Sequence, residues 1–274
     1  MTSRVDLHLH STASDGRFSP SDLVAMALER NLLAIAITDH DTTEGIDEAL
    51  DAARGTELEV IPGVEISAQV PHEEVHLLGY YIDHHDPVLE KKLCAFRKAR
   101  LHRAKAMLSK IAALGFPVQW EMVAKSAGSG SVGRPHIAQA MLEMGYIAST
   151  DEAFALYIGR NGPAYVDRYK LSPSEAVSMI KEARGLPVLA HPLKVTHFLP
   201  SLIEQGLVGL EVYYTGYSAE DIRKLACLAR KFGLIPTGGS DFHGPGVLDT
   251  VEIGGIWVPV ESVKRLQDLA KIRV

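Results

Sequence analysis

The sequence of 274 residues is poor in cysteine, in long apolar runs and in positive charge. Its two cysteines, Cys94 and Cys227, are far apart, which argues against a disulfide scaffold and a Cys-x-x-Cys motif. No run of about 18 apolar residues occurs, so no transmembrane helix is predicted. The first residues, Met1 to Asp6, lack the basic and then apolar pattern of a signal peptide. We therefore expect a cytoplasmic protein with no membrane partner.

The charge balance argues against a protein that binds duplex DNA. The formal net charge is −6, and the pI of about 6.1 leaves no broad basic field for a nucleic-acid backbone. A locally basic stretch at residues 97–110 is read as a solvated helix face, with steering of an anionic substrate as the lesser alternative. The unusual residue is histidine, which occurs twelve times and often stands beside carboxylates.

Short β-like runs alternate with amphipathic helical segments along most of the chain. The rhythm changes near residue 86, where one long charged helix is predicted as far as residue 113, followed by short helices and a Gly/Ser-rich loop. The pattern predicts a parallel α/β core, residues 1–98 and 173–274, interrupted by a mostly helical insertion at residues 99–172. Periodicity leaves a barrel and a doubly wound sheet open for that core.

Histidines and carboxylates follow the apolar runs in order along the chain. In parallel α/β proteins such positions meet at one edge of the sheet, where active sites form. His8 and His10 alternate with leucines, so both rings face the same side and can reach one ion. Each pattern is weak alone, but their placement after six successive runs is improbable by chance. The positions are His8, His10, Asp15, His40, Glu65, His76, His191, Glu211, Asp241 and His243.

Glu65 is hard to explain as a structural residue, because it lies in an apolar strand. A buried carboxylate without a partner costs several kcal/mol, and a cation is a suitable partner. A single histidine in such a strand, like His76, is by itself more often a hydrogen-bonded core residue than a ligand. Since cysteine takes no part, the nitrogen and oxygen donors suit Mn²⁺, Fe²⁺ or Zn²⁺.

Taken together, six motifs resemble the PHP (polymerase and histidinol phosphatase) family, and most closely its TrpH/YciV-like phosphoesterases. They are Asp6-Leu-His-Leu-His-Ser-Thr-Ala-Ser-Asp-Gly16, Ile37-Thr-Asp-His-Asp-Thr42, Pro62-Gly-Val-Glu-Ile-Ser67, His76-Leu-Leu-Gly79, Leu189-Ala-His-Pro192 and Gly239-Ser-Asp-Phe-His-Gly244. The resemblance implies a distorted (β/α)7 barrel with a helical insertion. It also implies an enzyme that removes the 3′-phosphate of nucleoside 3′,5′-bisphosphates or trims short RNA from its 5′ end.

Carried over to the matching positions, the resemblance implies two or three divalent ions, with Mn²⁺ expected first. The implied ligand sets are His8, His10, Glu65 and Asp241 for one ion, Glu65, His76 and His191 for a second, and Asp15, His40 and His243 for a third. Asp15 stands where histidinol phosphatase-like members often have histidine. That exchange suits a harder or more exchangeable third ion.

The expected reaction is hydrolysis of a phosphate monoester by metal-activated hydroxide. Two ions about 3.5–4 Å apart can hold a hydroxide at neutral pH and neutralise the phosphoryl oxygens. Asp241, His191 and His243 are the expected catalytic residues, and either histidine could protonate the leaving group. Asp39 is expected to orient a ligand histidine rather than to bind metal.

Substrate-binding residues are expected in and beside the insertion. Arg134 follows a Gly-rich turn and can hold a phosphate through two hydrogen bonds, and the resemblance favours this role for Arg134 and His136. The alternative is that Arg134 pairs locally and His136 only begins a helix. Lys170 and Lys194 are further candidates. The expected substrate is a small phosphorylated molecule, a nucleotide or a short single-stranded RNA end.

Two other functions stay open. The same ligands could cleave a C–N bond in a polymetal amidohydrolase, against which the arginine clamp argues without deciding. The chain could also be a non-catalytic metal-binding PHP module, although every ligand position is filled. The histidines outside the motifs, among them His84, His85 and His197, are predicted to be surface residues.

Overall fold

A sheet of seven strands forms the centre of the protein in the computed structural model, which describes residues 4–70, 73–128, 130–167, 171–245 and 251–272. The strands are β1 (Val5–Leu9), β2 (Ala34–Ile37), β3 (Glu59–Val70), β4 (Glu73–Tyr80), β5 (Leu186–Leu189), β6 (Gly209–Tyr214) and β7 (Ile235–Gly239). They lie side by side in chain order. A bridge between Leu9 and Phe242 brings the two edges of the sheet together, so the sheet nearly closes. The predicted α/β barrel is confirmed.

The prediction of a parallel core is wrong for β4. This strand runs antiparallel to both β3 and β5, whereas the other neighbouring strands are parallel. The two residues between β3 and β4 are too few for the crossover that a parallel pair requires, so the two strands form a hairpin. As a result, the beginning of β4 lies at the edge where the parallel strands end.

Helices join and cover the strands. They are α1 (Pro20–Glu29), α2 (Ile46–Ala52), α3 (Pro87–Ala113), α4 (Trp120–Ala127), α5 (Arg134–Glu143), α6 (Thr150–Ala153), α7 (Pro173–Glu182), α8 (Leu199–Gln205), α9 (Ala219–Phe232) and α10 (Val260–Ile272), with a π-helix at Phe154–Ile158. Ser19 begins α1: its hydroxyl accepts from the Asp22 N–H, and Pro20 occupies the first turn. The sequence analysis did not predict α10.

The segment between β4 and β5 has a hydrophobic cluster of its own. Ala104, Met107 and Ile111 of α3 pack there with Ile137 and Met141 of α5. Leu89 and Leu93, in the first half of α3, belong instead to the cluster between the sheet and its covering helices. One continuous helix therefore joins the barrel to the predicted insertion. None of the helices within the described ranges has the length and apolarity that membrane crossing requires.

Candidate metal centre

Strand alternation sets the first two histidines of the site. In β1 the side chains of Val5, Leu7 and Leu9 point to one face and those of Asp6 and His8 to the other. His10 continues the second face just beyond the strand, and the two imidazole centroids are 5.1 Å apart. Both histidines are fully buried, as their position inside the barrel requires.

Glu65 lies at the centre of the cluster and contacts imidazoles with both carboxylate oxygens. Its Oε2 is 3.4 Å from His8 Nε2, 3.3 Å from His10 Nε2 and 3.0 Å from His40 Nδ1. Its Oε1 is 2.8 Å from His76 Nδ1 and 3.1 Å from His191 Nε2. A carboxylate with one oxygen turned towards each group of histidines has the arrangement of a ligand shared by two ions.

Asp241 and Asp15 extend the cluster on the other side of His10. Asp241 Oδ1 is 3.0 Å from His10 Nε2 and 3.4 Å from His8 Nε2. Asp15 is 3.4 Å from His243 Nε2 through Oδ1 and 3.9 Å from His40 Nε2 through Oδ2. The structure thus brings every predicted metal ligand into one connected cluster.

The donor atoms form three groups, which overlap in part with the ligand sets that the resemblance implies. One group consists of His10, Asp15, His40 and His243, a second of His8, His10 and Glu65, and a third of His40, Glu65 and His76; within each, the donor atoms lie within 4.8 Å of one another. His40 belongs to two of these groups because its Nδ1 faces Glu65 and its Nε2 faces Asp15. The two ring nitrogens of His40 therefore belong to different groups of donor atoms.

The donor set fits divalent cations. Several donor atoms are buried and have no well-aligned hydrogen bond within the described ranges: His8 Nε2, both ring nitrogens of His10, Asp15 Oδ1, His40 Nδ1 and Asp241 Oδ1. Buried polar atoms are nearly always paired, so a set that converges on one space calls for a partner. Imidazole and carboxylate donors without thiolates suit Mn²⁺, Fe²⁺ or Zn²⁺.

The cluster is strongly coupled electrostatically. Burial lowers the pKa of His10, but Asp241 and Glu65 outweigh that effect and raise it to about 10. Burial raises the pKa of Glu65, yet His40, His76 and His8 hold it well below its usual range. For His40 burial prevails over the nearby carboxylates and lowers the pKa to about 4. Metal binding at such a site must displace protons from imidazoles.

Glu211 supports the cluster from behind, a role that the sequence analysis did not assign. The side chain is fully buried on β6. Its Oε1 is 2.8 Å from His8 Nδ1, and its Oε2 accepts a hydrogen bond of 2.6 Å from the His191 backbone N–H. Glu211 thereby orients His8 so that Nε2 faces Glu65 and Asp241. The sequence does contain a sign of this role, because Glu211 stands between Leu210 and Val212 in an apolar strand.

Asp39 has a different role from the predicted one. Its carboxylate accepts hydrogen bonds from the backbone N–H and hydroxyl of Ser11, at 2.7 Å each, and from the hydroxyl of Ser14. Asp39 therefore fixes the loop that carries Asp15 rather than orienting a ligand histidine through a hydrogen bond. The position of Asp39 in the sequence could not distinguish holding this loop from orienting a histidine, because either role requires a carboxylate at the end of β2.

Two cluster residues have an unusual backbone conformation. His191 has a φ of +27° and Asp241 a φ of +56°. Positive φ is uncommon for residues other than glycine and is concentrated at functional sites. At both positions the chain turns sharply just after a strand, which aims the side chain into the cluster instead of along the barrel wall.

A cavity of about 280 Å³ opens above the cluster. Its lining includes five residues of the cluster, Asp15, His40, His76, Asp241 and His243, together with Arg17, Arg100, Arg134, Thr150, Asp151 and Phe154. Arg100, from α3, is buried and binds Asp41 Oδ2 through Nε at 2.6 Å. Neither Arg17 nor Arg100 was predicted as a substrate-binding residue, although Arg100 stands in the basic stretch at residues 97–110, for which steering of an anionic substrate was the lesser alternative.

The predicted substrate-binding residues are distributed unevenly. Arg134 lines the cavity, and it also pairs with Glu74 Oε2 at 3.0 Å, as the local alternative predicted. His136 is buried and outside the lining, and its Nδ1 accepts a hydrogen bond from the Gly133 N–H at the start of α5. Lys194 is exposed and also outside the lining. Lys170 lies outside the described residues.

Comparisons with known proteins agree with the site. A family model described as the PHP domain matches residues 6–112. The chain is 34% identical over 270 residues to a 5′-3′ exoribonuclease of Haemophilus influenzae, covering 96% of this chain and 97% of the relative. It is 32% identical over 250 residues to a 3′,5′-nucleoside bisphosphate phosphatase of Chromobacterium violaceum, covering 88% of each.

The fold is also found among solved structures. A protein of Bifidobacterium adolescentis, described as a metal-dependent phosphoesterase, superimposes with a TM-score of 0.88 at 32% identity, covering 96% of this chain and 95% of that one. The agreement extends over nearly the whole length, so it includes the barrel and the segment inserted between β4 and β5. This chain belongs to the PHP family, as its six sequence motifs indicated.

Proposed function

We propose that this chain removes the 3′-phosphate of nucleoside 3′,5′-bisphosphates, or trims short RNA from its 5′ end. The observation that carries the proposal is that one cavity is lined both by candidate metal ligands of the cluster and by three arginines. One anionic group of the substrate can lie against the candidate metal ligands while a second lies against the arginines. The relatives named above act on nucleotides and RNA, and their names all describe hydrolysis of phosphoric esters. Phosphoric ester hydrolysis is also the reaction class that the sequence predicted.

The ions, when bound, supply the Lewis acidity that makes a phosphate monoester anion open to attack by water. We propose His8, His10, Glu65 and Asp241 as one ligand set, with Glu65 shared by a second set of His76 and His191. The third set is Asp15, His40 and His243, and Mn²⁺ is the metal we would load first. Asp15 and the long contacts around it, 3.4 to 4.0 Å, suit the most exchangeable of the three positions.

The chain's own residues supply proton handling and orientation. The Tyr214 hydroxyl donates a hydrogen bond of 2.8 Å to Asp241 Oδ2. The other oxygen of Asp241, Oδ1, faces His8 and His10. His243 lines the cavity, whereas His191 does not, so His243 is the stronger candidate to protonate the leaving oxygen when the third position holds no ion and Nε2 carries a proton. His191 instead contacts Glu65 and is fixed through its backbone by Glu211.

The charges of the three arginines distinguish their roles. Arg100 is neutralised by Asp41 and Arg134 by Glu74. Arg17 contacts the uncharged Gln139 amide oxygen at 2.9 Å, so its charge is the most available for a substrate phosphate. Arg134 can bind phosphate by exchanging Glu74 for it, and a planar guanidinium holds phosphate through two parallel hydrogen bonds. We assign the substrate's second phosphate to Arg17 and Arg134.

The insertion also offers a place for the nucleoside. Phe154, on the π-helix, lines the cavity, and the Arg134 guanidinium carbon lies 5.5 Å from its ring centroid. A ring and a guanidinium stacked in this way form a flat surface of the kind on which bases stack. Asp151 and Thr150 lie beside it and can accept or donate hydrogen bonds. We propose that the segment from about residue 99 to 172 acts as a cap that binds the nucleotide.

The two alternatives are less well supported. The arginines that line the cavity suit a phosphate group better than an uncharged amide, which disfavours an amidohydrolase. A non-catalytic module needs no substrate cavity above its ligands, and this cavity is large enough for a small molecule. Cytoplasmic location stays a prediction.

The test is phosphate release from 3′,5′-bisphosphoadenosine by metal-stripped protein reloaded with Mn²⁺, compared with a 5′-phosphorylated oligoribonucleotide and a panel of amides. Asp241→Asn is the control, since it keeps the shape and removes a ligand charge. We expect Mn²⁺-dependent release that the control lacks. Turnover of amides, with no phosphate released from any ester, would reject the proposal in favour of the amidohydrolase.

A further inference from the structure

Two adjacent histidines and an aspartate meet on the surface, away from the cluster described above. His84 and His85 lie in the turn between β4 and α3, and Asp47 lies in the first turn of α2. None of the three lines the cavity. Their donor atoms, two imidazole nitrogens and a carboxylate oxygen, lie within 4.8 Å of one another. The sequence analysis placed both histidines on the surface and gave them no role.

The two measured donor separations are close to the edge length of a tetrahedral site. Asp47 Oδ1 is 3.0 Å from His84 Nε2 and 3.4 Å from His85 Nε2. Ligands bound to Zn²⁺ at about 2.0–2.1 Å in tetrahedral geometry are separated from each other by about 3.3–3.4 Å. The exposed side chains of Asp47 and His85 can move to bring their donors, with that of the largely buried His84, to one ion.

The turn that carries the histidines is held by its own hydrogen bonds. The His85 N–H donates to Asp83 Oδ1 at 3.2 Å, and the Asp86 N–H donates to the Asp83 carbonyl at 3.1 Å. The Thr43 hydroxyl donates to the His84 carbonyl oxygen, which joins the turn to the segment that leads into α2. The two rings are 4.2 Å apart at their centroids and share one side of the turn. The backbone that carries the histidines is therefore already ordered, so an ion has to order only the side chains.

We propose that Asp47, His84 and His85 form a second, surface metal site for Zn²⁺ or a similar borderline cation. Two imidazoles and one carboxylate are ligands that Zn²⁺, Ni²⁺ and Cu²⁺ prefer. The remaining coordination position faces solvent, because His85 and Asp47 are both exposed. A bound ion joins the start of α2 to the turn before α3.

The test is to count zinc by mass spectrometry after equilibrium dialysis of the full chain, in wild type, His85→Ala and Asp47→Asn. His197→Ala is the matched control, because His197 is an exposed histidine paired with a single carboxylate, Glu73, at 3.0 Å. Each of the two site variants is expected to bind about one zinc equivalent fewer than wild type and the control. Equal zinc content in all four proteins would overturn the proposal, as would a loss in only one site variant.

A crystal soaked in zinc gives an independent result. An anomalous peak is expected about 2.0–2.1 Å from both Nε2 atoms. No peak there, with peaks present in the barrel cluster, would overturn the site even if the zinc counts differed. Mn²⁺-dependent phosphate release by His85→Ala should equal that of wild type, so this inference and the proposed function can fail separately.

Discussion

Glu211→Gln should weaken metal binding without unfolding the protein. The carboxylate accepts from two directions, with Oε1 at His8 Nδ1 and Oε2 at the His191 backbone N–H. A glutamine has one acceptor oxygen and one NH₂ group, so it can satisfy only one of these two donors. The backbone N–H of His191 cannot change, and the amide oxygen should therefore turn towards it.

The NH₂ group of the glutamine would then face His8 Nδ1. The ring responds by moving its proton from Nδ1 to Nε2, which is the nitrogen that faces Glu65 and Asp241. A protonated Nε2 cannot bind a metal ion. Loss of a carboxylate that orients a ligand histidine typically costs 10- to 100-fold in metal affinity, about 1.4–2.7 kcal/mol.

The assay is the Mn²⁺ concentration that gives half-maximal phosphate release, together with direct titration followed by the electron paramagnetic resonance of free Mn²⁺. Glu59→Gln is the matched control. Glu59, like Glu211, is a hydrogen-bonded carboxylate, and it accepts from the Tyr81 hydroxyl and the Gln267 amide. Its substitution by glutamine removes the same charge at a position outside the cluster. If folded Glu211→Gln binds Mn²⁺ within about twofold of wild type, then Glu211 does not set the His8 tautomer.

Three further results are expected. Arg17→Ala should raise the KM for 3′,5′-bisphosphoadenosine by about tenfold while kcat changes little. The reason is that the substitution removes a phosphate contact made equally in the ground and transition states. A fall in kcat alone would contradict this. Arg100→Met should lower the free energy of unfolding in urea by about 3–5 kcal/mol, since Asp41 loses a buried ion-pair partner; an unchanged midpoint would contradict it. Mn²⁺ at about 100 times its Kd should add about 2.7 kcal/mol to the free energy of unfolding per occupied site. The melting temperature should therefore fall when a chelator removes the ions. An unchanged melting temperature would argue against resident ions.

The sequence was sufficient to find the candidate metal ligands because they follow apolar strands in order. Period-two alternation predicts that His8 and His10 share a face, and the strand-end rule brings His40, His191 and Asp241 to the same edge. Side chains at strand ends are placed by backbone geometry alone. Their convergence can therefore be anticipated without knowledge of how the rest of the chain packs.

Contacts between distant segments could not be predicted in this way. Arg17 and Arg100 reach the cavity from a loop and from the middle of a long helix. Arg100 stands in the basic stretch at residues 97–110, but the sequence alone does not show which residue of that stretch reaches the cavity. The hairpin between β3 and β4 was not predicted, because Gln69, Glu73 and Glu74 favour a loop, although Gln69 belongs to β3 and the two glutamates to β4. Tertiary pairing extends strands through residues whose own preference for strand is weak.

The reversal of β4 is what allows His76 to join the cluster. In a regular barrel of parallel strands, a residue early in a strand lies at the edge opposite the active site. Because β4 runs antiparallel, its early residues lie where the parallel strands end: His76 is opposite Ser67 of β3, and its carbonyl accepts from the Ala190 N–H beside β5. The ring of His76 consequently lies 4.9 Å from that of His191, with Glu65 Oε1 in contact with both. The distortion of the barrel is therefore a requirement of the second ligand set, since a parallel β4 would leave Glu65 and His191 without their third donor.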